Sequence, residues 1–459
     1  MKRILLLAIA TLMLTGRGNA QQAAGPEYWS GKLTIGLQQL NIGFSIKALP
    51  EGKQVCSMDV PEQGAKDIPA ELVRNDGDSL VIKIAALRAA YHGAKIPDGS
   101  IKGIFTQNGI RLALDLAPGK LQLKRPQTPV PPFGYRTKEV VFRNDAEGAE
   151  LAGTLTYPTD FDKYPEGTVP VVLMVTGSGT QNRDEELFDH KPFLVIADFL
   201  AKNGIASLRY DDRGAGKSTG PVKDITTMNN LADAEAGISF LRSLGEFGQI
   251  GVLGHSEGGT IAFMMGARKS VDFLISLAGT AVTGIKVIVG QNEAIMQKQG
   301  LPAKMVRDYA TALEILYGDR ISGKQIPDKT RYVEDLCSAN GLELPANLKS
   351  NLEKCTTAGG EWLTWFLGYD PAEAIREITC PVFALNGTLD LQVLCDDNLP
   401  VIKSNLPHGS SNLVKEYDGL NHLFQHATPF TALNYGAIEE TISAEVLNDI
   451  AVWINRLAK

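Results

Sequence analysis

Between Ile250 and Arg268 the chain passes from a short apolar run, through Gly254-His255-Ser256-Glu257-Gly258-Gly259, into a stretch with helical texture. A strand that becomes a helix over so few residues strains the backbone of the central residue and admits only small neighbours. Gly254, Gly258 and Gly259 meet that need. The spacing therefore predicts a strand over Ile250–Leu253, a helix over Gly259–Arg268 and a tight turn between them. Such a turn would hold Ser256 out at the carboxyl edge of a sheet, facing a cleft. The bare G-x-S-x-G pattern is common. Its position between strand and helix makes Ser256 a nucleophile candidate rather than a capping serine.

The surrounding chain has the alternation that such a sheet requires. Val169–Val175 is a continuous apolar run, as expected of a strand buried on both faces. Lys138–Arg143 and Glu150–Tyr157 read as a hairpin. Ala206–Tyr210, Phe273–Leu277, Val382–Asn386 and Asn412–Tyr417 read as further strands. Phe193–Asn203, Met228–Leu244 and Ile442–Leu457 read as helices. Strands alternating with helices imply an α/β domain with a mostly parallel, doubly wound sheet. From about Thr283 to Tyr369 the pattern is helical and no strand is visible, so a helical cap inserted between two sheet strands is expected there.

A serine hydroxyl becomes nucleophilic only when a base takes its proton, and that base is a histidine oriented by a carboxylate. After such an elbow the chain order is serine, acid, histidine. His408, His422 and His426 follow Ser256. His422 lies in Gly419-Leu420-Asn421-His422, just after the strand Asn412–Tyr417, where the last loop should bring a base over the sheet. His426 is the runner-up, and His408 precedes the strand. Asp390, in Gly387-Thr388-Leu389-Asp390 after the strand Val382–Asn386, is the natural acid; Asp396, Asp397 and Asp418 are alternatives. A developing oxyanion needs N–H donors fixed beforehand. The expected donors are the backbone of Glu257 and, from Thr176-Gly177-Ser178-Gly179-Thr180, that of Ser178 with Gly179 beside it. Trp362, Trp365, Phe366 and Tyr369 cluster near the end of the helical insert and are candidates for a substrate pocket, or else for the insert's core.

Residues 26–125 have a different texture: short alternating segments (Lys32–Leu40, Leu80–Ala85, Ser100–Gln107, Arg111–Leu116) punctuated by Asn75-Asp76-Gly77, Pro97-Asp98-Gly99 and Asn108-Gly109. They predict a small antiparallel β domain. Pro126, Pro129, Pro131 and Pro132 make 126–134 a stiff linker to the catalytic domain over 135–459. Residues 1–20 read as a signal peptide: basic Lys2 and Arg3, apolar Ile4–Leu14, and Gly18-Asn19-Ala20 at the cleavage site. Export to the periplasm or beyond is expected, with cleavage after Ala20. Arg17 stands where a lipoprotein signal needs Cys, so no stable membrane anchor is expected. The chain carries 45 basic and 52 acidic residues, a formal charge of −7. Losing Lys2, Arg3 and Arg17 makes it −10, and with no later basic run nucleic acid is not an expected partner. The five cysteines lack metal-site spacing. If any pair in an oxidising compartment, Cys337 and Cys355 are favoured. Gly214-Ala215-Gly216-Lys217-Ser218 imitates a phosphate loop, but Asp211 occupies the place of the required glycine, and the segment reads as structural.

Taken together, Tyr210–Ser218, Gly254–Gly259, Tyr369-Asp370-Pro371, Cys380–Val393 and Gly419–Phe424 resemble segments of bacterial α/β-hydrolase esterases with a helical cap, which are often grouped with prolyl-oligopeptidase-like serine hydrolases. The resemblance covers Tyr135 to the C-terminus. It implies an α/β-hydrolase fold and puts the serine, acid and histidine roles on Ser256, Asp390 and His422. Thr176 departs from the pattern, since many relatives carry His or Pro before the Gly-Ser-Gly. The region before the linker resembles accessory domains of some secreted hydrolases. The expectation is a serine carboxylesterase that works on a small-molecule ester, without metal or cofactor. A serine peptidase would use the same groups, and a carbohydrate-binding role for the N-terminal region is a third reading.

Overall fold

A computed structural model describes residues 26–35, 38–49, 53–61, 65–121, 123–409 and 411–457. The leader sequence read over residues 1–20 and its cleavage site lie outside the described residues. The chain divides into two compact units, one ending near residue 121 and the other running from Leu123 to the C-terminus.

The first unit is an antiparallel sheet. Its strands are Glu27–Ile35 (β1), Gln38–Ala48 (β2), Gln54–Val60 (β3), Ala65–Asn75 (β4), Ser79–Ile84 (β5), Ala89–Lys95 (β6), Ile101–Gln107 (β7), Ile110–Ala113 (β8) and Ala117–Pro118 (β9), in the order β8-β7-β6-β5-β4-β3-β2-β1-β9. One face is apolar and closes over Phe44, Met58, Ile82, Tyr91 and Phe105. Tyr91 sits between Gly93 and Gly103; a Cβ on Gly103 would come within 2.3 Å of its hydroxyl. The single segment read over Lys32–Leu40 is divided between two strands, β1 and β2, which pair antiparallel. β8 stops at Ala113, and Leu116 instead bridges Ile101. Strands β3, β4 and β6 had no clear sequence signal: no residue of β4 is fully buried, so its apolar pattern is weak.

The second unit carries a mixed sheet. Its strands are Thr137–Asn144 (β10), Ala149–Thr156 (β11), Val171–Val175 (β12), Ala206–Tyr210 (β13), Ile250–His255 (β14), Phe273–Leu277 (β15), Val382–Gly387 (β16) and Leu413–Tyr417 (β17), ordered β10-β11-β13-β12-β14-β15-β16-β17. The β10–β11 and β11–β13 pairings are antiparallel and the remainder parallel. β12 to β15 are buried throughout, and alternate residues feed two cores. Leu173 and Val252 face Thr227–Leu244 (α2) and Glu257–Ala267 (α3), whereas Val172 and Leu253 face Pro192–Lys202 (α1) and the C-terminal helix Ala444–Leu457. Helix α2 begins at a capping box, with Thr226 and Asn229 satisfying each other's backbone N–H groups, and ends at Gly245 with φ +67°.

Six helices lie between β15 and β16: Gly284–Lys298 (α4), Ala303–Ile321 (α5), Lys329–Ala339 (α6), Ala346–Cys355 (α7), Gly360–Gly368 (α8) and Pro371–Arg376 (α9). α4 to α8 share a core of their own, including Leu313, Leu316, Leu352 and Phe366. α10 (Cys395–Asn405) and the C-terminal α11 complete the unit. The proline-rich segment is not a free spacer at its start. The Arg125 guanidinium donates to the carbonyls of Phe188, Gly436 and Ile438, and Gln127 donates to that of Ile442. All five cysteines are free thiols, so the favoured Cys337–Cys355 pairing is not formed. Among the described residues no helix is long and apolar enough to cross a membrane.

Candidate active site

The parallel strands β12, β14, β15, β16 and β17 end on one edge, and every candidate residue follows from that edge. β14 ends at His255, and Ser256 takes φ +54° and ψ −116° before α3 begins at Glu257. A positive φ in a residue with a side chain is strained and persists only when its surroundings impose it. Here the surroundings leave no alternative. A Cβ on Gly254 would lie 1.9 Å from the Gly258 carbonyl oxygen, and one on Gly258 would lie 2.1 Å from that of Val175. The Ser256 N–H is tied to the Leu277 carbonyl at 2.8 Å.

Asp390 and His422, 32 positions apart in the chain, meet as a buried pair. Asp390 Oδ2 stands 2.7 Å from His422 Nδ1, while Oδ1 accepts the N–H groups of Gln392 (2.8 Å) and Val393 (3.0 Å). Three hydrogen-bonding partners on one carboxyl group fix its orientation. With Nδ1–H given to Asp390, the other ring nitrogen is left as an acceptor. The histidine loop is rigid by construction. Asn421 Oδ1 accepts from the N–H groups of Leu423 and Gln425, and its Nδ2 donates to Gln425 Oε1. The alternatives lie elsewhere: His426 is exposed and pairs with Glu440, His408 is exposed, Asp396 and Asp397 are exposed in the first turn of α10, and Asp418 accepts from the Thr388 hydroxyl.

The loop after β12 passes beside Ser256. A Cβ on Gly177 would be 3.2 Å from that of Ser256. The Gly177 N–H is already used, donating to Glu185 Oε1 at 2.8 Å, which leaves Ser178 and Gly179 as the next backbone donors. Glu257 opens α3, and a first-turn N–H has no partner within its own helix. Its carboxyl group does more than sequence reasoning had assigned to it. Oε1 accepts from the Thr227 hydroxyl (2.5 Å) and from Trp362 Nε1 (2.9 Å). Burial raises its pKa above the ordinary carboxylate value despite these bonds. Of the four aromatics, Trp362 reaches Glu257 and Phe366 stacks behind it at 5.4 Å. Trp365 and Tyr369 stack on each other at 4.7 Å and pack against the sheet core.

Two further groups carried no sequence signal. His255 Nδ1 lies 2.9 Å from Glu185 Oε1, and its Nε2 lies 3.0 Å from the carbonyl oxygen of His422. Asp212 accepts from the Thr176 hydroxyl and from the Gln181 N–H, and burial pushes its pKa up to about 8. Thr176, the departure from the family pattern, thus has a half-buried carboxyl partner of its own. The imitation phosphate loop is structural: Asp211 Oδ2 accepts the Lys217 N–H, and Ser218 Oγ takes the Ala152 N–H and donates to the Asp211 carbonyl.

A family model described as serine aminopeptidase, S33, matches residues 191–317, a stretch that includes Ser256 but stops short of Asp390 and His422. Esterase EstD of Thermotoga maritima is 24% identical over 330 residues, covering 71% of this chain and 69% of that protein. Similar solved structures include a Pyrococcus furiosus esterase, Pf2001 (15% identity, TM-score 0.43, 73% of this chain and 98% of that one). Est1E of Butyrivibrio proteoclasticus, solved with ferulic acid, has 18% identity and a TM-score of 0.42, over 70% of this chain and 100% of that one. The mixed sheet and the strand–turn–helix at Ser256 have the arrangement of an α/β-hydrolase fold, and the chain is similar to the serine aminopeptidase S33 model and to Esterase EstD over the stretches given.

Proposed function

We propose that this protein is an exported serine carboxylesterase that acts through an acyl-enzyme at Ser256. The observation that carries the reading is the buried Asp390–His422 pair at 2.7 Å on the same sheet edge as the strained Ser256 turn. His422 takes the Ser256 proton as the hydroxyl attacks an ester carbonyl. The N–H groups of Glu257 and Ser178, with Gly179 adjacent, receive the oxyanion. His422 then gives its proton to the departing alcohol, and a water activated by the same ring releases the acid. Helices α4 to α8 act as a cap, linked to the site by Trp362, with Trp362 and Phe366 nearest the acyl group. The name of the curated Thermotoga relative favours ester over amide substrates, while the description of the matched family model keeps a peptidase as the second reading.

Fluorophosphonate labelling with peptide mapping, beside parallel rates on short nitrophenyl esters and on peptide amides, tests both. Labelling at Ser256, faster ester turnover, and a loss of several orders of magnitude in Ser256→Ala are expected. Ester hydrolysis undiminished in that variant would sink the assignment.

A further inference from the structure

His255 is buried, both its ring nitrogens are engaged, and the proposed chemistry gives it no task. Its Nε2 faces the carbonyl oxygen of His422 at 3.0 Å. A carbonyl only accepts, so Nε2 carries a hydrogen. Its Nδ1 faces Glu185 Oε1 at 2.9 Å, and that same oxygen already accepts the Gly177 N–H at 2.8 Å. A neutral ring with its hydrogen on Nε2 would turn a lone pair on Nδ1 toward this carboxylate. A ring protonated on both nitrogens instead donates two good hydrogen bonds, one of them to an ionised acceptor.

We infer that His255 and Glu185 form a buried imidazolium–carboxylate pair that holds the loops of Gly177 and His422 in register with Ser256. Three segments distant in sequence meet through this one ring. The Glu185 carboxylate anchors the Gly177–Ser178 loop, His255 is the last residue of β14 directly before the nucleophile, and the His422 carbonyl belongs to the base's loop. Both are positioning residues, since neither touches the expected reacting atoms. Burial opposes charge on the ring. The Glu185 carboxylate and its hydrogen bond, the His422 carbonyl and Asp390 outweigh that burial and raise the His255 pKa above its usual value.

The pair has a second consequence through its charge. The His255 and His422 rings lie 4.7 Å apart, centre to centre. A cation there places a positive potential on the neighbouring ring. The charged groups around His255 are Glu185 before α1, Asp390 after β16 and His422 after β17, with Asp212 at the end of β13 facing Glu185. Glu185 sits on the far side of the ring from His422, so the nearer positive charge dominates at that ring.

This inference rests on the Ser256–His422 reading and is tested so that the two can fail separately. Glu185→Gln keeps the shape of the side chain and, through its amide oxygen, an acceptor for the Gly177 N–H, but removes the carboxylate charge and with it the second proton on His255. Its kcat should fall about tenfold with KM within about twofold, and the acid limb of its pH–rate profile should rise by about one unit. Glu185→Asp, which keeps the charge, should restore the acid limb. Ser256 labelling is run alongside. If Ser256 labels and Glu185→Gln keeps the parent kcat and acid limb, the pair is overturned and the nucleophile stands; if Ser256 never labels, the nucleophile itself has failed. Nitrogen-15 histidine spectra of the unmodified protein decide without any variant. Two N–H hydrogens on His255 at neutral pH are expected, and a neutral ring there overturns the inference.

Discussion

The two units solve the problem of burying polar groups in opposite ways. In the N-terminal sheet, Ser45 and the Tyr91 hydroxyl are the buried polar groups among the described residues, and apart from the stretch Ile42–Ile46 of β2 the strands leave residues exposed or half-buried. In the second unit Glu185, Arg213, Asp233, His255, Glu257, Asp390 and His422 are all buried. An antiparallel sheet with one solvated face can leave polar side chains in water. A parallel sheet covered on both faces has no such outlet except at its strand ends, where loops supply partners. Buried charge there is costly unless it is paired or bonded. The pairs Asp390–His422, Glu185–His255 and Arg213–Asp233 are the form that this requirement takes. Chemistry is therefore expected at the carboxyl edge of the second sheet, and packing alone in the first.

The strongest test of that contrast is Asp390→Asn. The change keeps the shape of the side chain but presents an amide to His422 Nδ1, which favours the wrong tautomer. Ester turnover should fall by three to four orders of magnitude with the fold intact by circular dichroism. A loss under tenfold would remove Asp390 from the proposed triad. A smaller effect is expected from Gly103→Val in the first unit. Its side chain would run into the Tyr91 hydroxyl, 2.3 Å from a Cβ at that position. A loss of about 1–3 kcal/mol in the stability of that unit is expected, with kcat for small esters unchanged. A collapse of kcat would show that the first sheet contributes to the chemistry.

The smallest effect is a slope rather than a loss. Asp212 has its pKa raised from 3.8 to about 8 in the folded chain. The folded protein therefore binds this proton more tightly than the unfolded one. Asp212 contributes stability that is complete below pH 4 and is lost as pH rises toward 8. Asp212→Asn should flatten the decline of the melting temperature between pH 4 and pH 8. An unchanged slope would mean that the carboxyl group is ionised when folded.

How much of this was legible in the sequence depended on whether a signal was local. The elbow at Ser256 was legible because its demands fall on Gly254, Gly258 and Gly259, all within three residues of the serine. Strands β12, β13 and β15 were legible because both of their faces are buried. β3, β4 and β6 were not, since half-wet strands carry Lys66, Asp67, Glu71 and His92 where a core strand would carry Val or Ile. Asp390 and His422 followed from chain order, but sequence left His426 and Asp418 as alternatives.

By itself, then, the sequence determined an α/β chain with a tight strand–turn–helix at Ser256, because such a turn imposes its own residue types. Tertiary structure alone decided which carboxylate meets which histidine. It paired Glu185 with His255 across 70 residues and brought the Glu257 carboxyl to Trp362 across 105. Such pairs leave no periodicity or spacing behind. They exist because charges enclosed at a sheet edge must find partners, and only the folded chain shows which ones are within reach.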